Sequence, residues 1–118
     1  MSNAKKPIDW QRLLLLTGNK PKIAMELLQM FAAELPDMRS AINAAHKQKN
    51  YDLLHEWIHQ LHGSCCYTGA TRLKALAADL ENALHFRHYD AVNDMMKKLN
   101  HEITAALRYI DNQNDRHE

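Results

Sequence analysis

The chain has 118 residues, a formal charge of +1, 46% hydrophobic and 25% charged residues, and two adjacent cysteines, Cys65 and Cys66. That length suits one domain that buries roughly two-thirds of its unfolded surface. Interspersed charges of both signs give no field for nucleic acid, Leu13 to Leu16 is too short an apolar run to span a membrane, and neighbouring cysteines are poorly placed to bridge each other, which points to a reducing cytoplasm.

Met1-Ser2-Asn3-Ala4 has the form of an expression-tag remnant, which sets the folded domain at residues 5–111 and leaves the polar tail 112–118 as expected disorder. Asp9 is a good N-cap for a short helix that stops at Thr17-Gly18. Asn19 and Pro21 open a long second helix, with an apolar stripe through Ile23, Leu27, Met30 or Phe31, Leu35, Met38, Ile42 and Ala45. The phase survives Pro36, so a kink is expected there, not a break. After a turn at Lys49-Asn50, a third helix from Tyr51 to Cys66 buries Leu54, Ile58, Leu61 and Cys65. Thr68-Gly69 turns the chain into a fourth helix, Thr71 to Arg87, on Leu73, Leu76, Ala77, Leu80 and Leu84. A fifth runs from Asp90 to Asp111 on Val92, Met96, Leu99, Ile103, Ala106 and Ile110. No segment alternates with period two. The spacing predicts an all-α fold, an antiparallel four-helix bundle with a short N-terminal capping helix, and a monomer, since no long heptad seam is left over.

The third helix carries the chemistry. At about 100° per residue, His59 points about 140° away from its buried stripe and stands in water. Gly63, one turn on, lies about 180° from the stripe, so the surface beside His59 is bare backbone. A helical glycine costs about 1 kcal/mol relative to alanine and gains nothing in packing here. An exposed neutral imidazole is a competent nucleophile, and a neighbour without a side chain lets another protein approach it closely. Folding the third and fourth helices as a hairpin about residues 67–69 sets His59 opposite residues 78–81. Glu81, about 80° from its own stripe, then reaches the imidazole and fixes its tautomer by accepting from Nδ1–H.

His59-x-Leu61-x-Gly63-Ser64, Gly69-Ala70, and Leu73, Leu76, Leu80 and Glu81 together resemble the signature of the histidine-containing phosphotransfer (HPt) domain, most like the C-terminal HPt domain of BarA/GacS-type hybrid sensor histidine kinases. The resemblance spans Ile8 to about Ile110. It implies a bacterial phosphorelay in which His59 takes a phosphoryl group from the aspartyl phosphate of a receiver domain and passes it to another receiver aspartate. Mg²⁺ is expected in the receiver, and this chain needs no cofactor of its own. With only Gly18, Gly63 and Gly69 there is no phosphate-cradling loop, so no ATP site is expected, although the parent of such a domain can be a sensor kinase anchored at the inner membrane. The residue three after the histidine is usually Lys in the family and is His62 here, charged only in part at neutral pH. Lys74, on the flank of Glu81, is a second candidate for charge support. The docking face implied for the receiver centres on Gly63 and Cys66, with Ala78 and His85 on the next helix.

Two other classes compete with this reading. His55, His59 and His62 fall at i, i+4 and i+7, a spacing that suits a metal-binding helix bundle. Alternatively, the chain is a non-catalytic helical interaction module in which His59 is incidental.

Overall fold

The computed structural model describes residues 6–116. The expected tag remnant at residues 1–4 and the last two residues of the expected tail lie outside them. Five helices follow in order: α1 (Trp10–Leu16), α2 (Pro21–Lys47), α3 (Tyr51–Cys65), α4 (Thr71–His85) and α5 (Tyr89–Arg116). The second half of α2 and the whole of α3 and α5 bury the stripes their spacing predicts. α2 neighbours α3 and α5, α4 neighbours the same two helices, and α1 lies against α2, so four long helices close around one core. Arg39 pairs with Thr104, Asn43 with Asn100 and His46 with Asn93, a falling register that shows α2 and α5 to be antiparallel.

Helix ends follow local chemistry. The Asp9 carboxylate accepts from the Arg12 amide at 3.1 Å, and the Asn50 side chain accepts from the Leu53 amide at 3.2 Å. α2 and α4 each close with a residue in left-handed backbone, Lys49 at φ 56° and Arg87 at φ 59°. In each case the next amide bonds back over the last turn, Asn50 to Ala45 and His88 to Ala83. This is why α4 stops at His85, short of the expected Arg87. Gly69, at φ +69°, is held by its carbonyl accepting from the Asp9 amide at 2.8 Å, and a Cβ there would lie 2.7 Å from the Asp9 carbonyl oxygen. Gly69 thus docks α1 onto the α3–α4 turn.

Three expectations need correction. In the first half of α2 the buried residues are Ala24 and Leu28, while Ile23 is 41% exposed and Leu27 half-buried. Counting back from buried Phe31 at 100° per residue, Ala24 falls within about 20° of it and Ile23 about 80° away. In α4, Ala83 joins the buried face and Leu76 is only half-buried. α5 continues through Arg116, so residues 112–116 are helical rather than disordered. Pro36 lies inside an unbroken α2, as the continuous phase of the apolar residues requires.

Glu102 is a polar residue in this core, 5% exposed, and Arg72 donates to its Oε1 from Nη2 at 2.6 Å and from Nε at 3.1 Å. The pair ties α4 to α5. Removing the cation leaves a carboxylate that has lost water and its partner. Arg72→Met is expected to lower unfolding stability by about 3 kcal/mol, and the double variant with Glu102→Met to lose less than the single one. Urea denaturation of the three chains measures the difference.

Candidate functional site

α3 and α4 present a common face that carries His59. α3 buries Leu54, Ile58, Leu61 and Cys65, and with that stripe fixed His59 is driven outward, its side chain 76% exposed. α4 buries Leu73, Ala77, Leu80 and Leu84, which leaves Glu81 on the flank toward α3 at 21% exposure. Their meeting gives a 3.0 Å hydrogen bond between His59 Nδ1 and Glu81 Oε2. With Glu81 ionised the donor is Nδ1–H, so Nε2 of the neutral ring carries the free lone pair and faces water. The hollow beside His59 is lined by Asp52, His55 and Glu56.

Gly63 is exposed, and a Cβ added there would meet no atom within 4 Å. Its missing side chain therefore answers no crowding inside the domain. Ala78 and His85 are exposed and Cys66 is half-buried, so all four expected docking residues reach the surface of these two helices. His85 stands edge-on to Phe86, itself 61% exposed, with ring centroids 4.9 Å apart.

His62 and Lys74 part company. His62 Nδ1 lies 3.1 Å from Glu81 Oε1, so a single carboxylate stands between two imidazoles. Sequence reading treated His62 as a source of charge and missed this contact. The hairpin register held the signal, because a residue opposite Ala78 is within one turn of Glu81. Lys74 sits two turns before Glu81 on α4, about 10 Å along the helix, and acts on Cys65 instead.

Cys65 and Cys66 are both free thiols in contrasting settings. Burial, reinforced by Cys66 and opposed by Lys74, pushes the Cys65 thiol up to about 12 from 9.0. At pH 8 its thiolate is then about one part in 10⁴, and thiolate is the reactive form. Iodoacetamide at pH 8 is expected to modify Cys66 in the folded protein and to reach Cys65 only in denaturant, as read by mass spectrometry. The folded chain also holds the Cys65 proton where the unfolded chain releases it. The associated stability is complete below pH 9 and declines as pH rises from 9 toward 12.

Among the described residues no group of three or more His, Cys, Asp or Glu is arranged to hold a metal ion. The metal reading of His55, His59 and His62 finds no support, since Glu81 engages the Nδ1 atoms of two of the three. No helix among the described residues is long and apolar enough to cross a membrane.

The Hpt domain family model matches residues 26–112. The signal transduction histidine-protein kinase BarA of Shigella flexneri is 35% identical over 82 residues, covering 70% of this chain and 9% of that protein. The sensor protein GacS of Pseudomonas syringae is 32% identical over 97 residues, 78% of this chain and 10% of that protein. The chain thus spans about a tenth of the length of these relatives. Its fold is similar to the crystal structure of an HPt domain from a hybrid histidine kinase of Shewanella, with a TM-score of 0.84 and 23% identity over 93% of this chain and 95% of that one.

Proposed function

This chain belongs to the Hpt domain family, the histidine-containing phosphotransfer modules of phosphorelays, and on that premise we propose that Nε2 of His59 is the atom that carries the phosphoryl group. The observation that carries the proposal is an imidazole in water whose Nδ1 is bound to a carboxylate, next to a glycine that leaves its flank open. The lone pair of Nε2 attacks phosphorus of a receiver's aspartyl phosphate. The bond from phosphorus to the carboxylate oxygen breaks, and the aspartate leaves with the electron pair. The ring then bears positive charge, which Glu81 stabilises through the Nδ1–H bond. Return of the phosphoryl group to a second receiver runs the same step backwards.

Most of the charge on the transferring group is neutralised by the receiver and its Mg²⁺, and this chain supplies a positioned nucleophile. The receiver lies across α3 and α4 over Gly63, Cys66, Ala78 and His85, in a small and short-lived interface suited to relay. The chain acts as a monomer in the cytoplasm, a setting that its two free thiols fit. Incubation with a phosphorylated receiver and Mg²⁺ tests the reading. The chain is expected to acquire an acid-labile, base-stable phosphoryl group. A correctly folded chain that stays unlabelled with a panel of receivers overturns it.

A further inference from the structure

Glu81 has two oxygens, and the chemistry at His59 accounts for one. Oε2 receives His59 Nδ1–H, whereas Oε1 is shut off from solvent and has no hydrogen bond of good alignment. His62 Nδ1 stands 3.1 Å from Oε1 on the adjoining turn of α3, within hydrogen-bonding distance though not aligned as a hydrogen bond. A carboxylate oxygen taken out of water needs such a donor. A glutamate on a helix flank also has three side-chain torsions to fix before Oε2 can hold one position.

We propose that His62 is a positioning residue: its Nδ1–H anchors Oε1 of Glu81, and this keeps Oε2 on His59 Nδ1 and Nε2 of His59 free of a proton. The two histidines are thereby coupled through one carboxylate although their rings do not compete for the same oxygen. His62 is 30% exposed, so its ring borders both the buried carboxylate oxygen and solvent. The role rests on the reading of His59 as phosphoryl carrier, yet the tautomer of His59 can be measured with no receiver present.

The test compares the parent with His62→Ala and His62→Asn. Asparagine sets an amide nitrogen three bonds from Cα, the same reach as imidazole Nδ1, but carries no charge and no second ring nitrogen. At pH 8, where ordinary imidazoles are neutral, ¹⁵N NMR of the His59 ring is expected to show the Nδ1–H form in the parent and in His62→Asn. In His62→Ala the Nε2–H form is expected to grow at its expense. Phosphoryl acceptance falls about 3- to 10-fold in His62→Ala, the scale of one lost hydrogen bond, and returns in His62→Asn. A His62→Ala chain that keeps the parental tautomer overturns the proposal. So does a His62→Asn chain that behaves like the alanine variant, since restoring a donor at that reach would then not restore the tautomer. Loss of transfer in every chain, with the tautomer pattern as expected, overturns the carrier reading and leaves the anchoring role in place.

Discussion

Glutamine in place of His59 is expected to reduce phosphoryl acceptance by at least about 10³-fold, to background, with no loss of stability. The side chain is 76% exposed, and glutamine keeps an amide donor that can bond to Glu81 in place of Nδ1–H, so the substitution tests chemistry with little change in packing. His62, another histidine of α3, has its Nδ1 toward Glu81 and a side chain less than half as exposed. Retained helical content and an unchanged urea midpoint accompany the loss. Label persisting on the glutamine variant at more than a small fraction of the parental rate would place the phosphoryl group elsewhere.

Gly63→Gln is expected to move stability and transfer in opposite directions. A Cβ at this position meets open space, and glycine in the last turn of α3 still forgoes helix propensity, so glutamine should add up to about 0.5 kcal/mol to unfolding. The same side chain projects one turn from His59 into the gap a receiver must enter. Holding the aspartyl phosphate even about 1 Å too far away is worth on the order of 100-fold in rate. Gly63→Ala should share the stability gain with a smaller kinetic penalty. Urea midpoints and transfer rates on the same preparations settle it, and a variant that is both more stable and fully active would show that the receiver docks on another face.

The opposed demands on Gly63 are what mark this face as a candidate site in the sequence. Where a residue is spent against the fold, as at Gly63, its purpose must lie outside the fold, and a periodic stripe then tells which way its neighbours face. The stripes of α3 and α5 follow residue by residue, because the competing phase one residue off is interrupted by polar side chains, Gln60 and Ser64 after Leu53 and Trp57 in α3, and Lys98 and Glu102 after Met95 in α5. The start of α2 did not, because Ile23, Leu27 and Met30 make a second plausible stripe one residue out of register with Ala24, Leu28 and Phe31. Only the packing partners choose between them.

The contacts that escaped are those between helices. Glu102 sits three after Leu99 and four before Ala106, squarely at stripe spacing, and a carboxylate there demands a buried cation. The spacing does not say that the cation is Arg72, which another helix supplies. His62 poses the same problem: its distance from Glu81 depends on the register and splay of α3 against α4, and one turn decides whether it stands in solvent or against Oε1. Lys74 lies seven residues before Glu81 on α4, a separation of about 10 Å along the helix that the flank angle alone does not register.

On the proposed mechanism Nε2 of His59, freed by Glu81 at Nδ1, is the atom that bears the phosphoryl group. The most direct measurement is the site and regiochemistry of attachment in the phosphorylated chain, by mass spectrometry of its peptides together with ³¹P and ¹⁵N NMR of the intact protein. A single phosphohistidine is expected, on Nε2 of His59, among the eight histidines of the chain. Phosphoryl on Nδ1 of that ring, or on any other histidine, would contradict it.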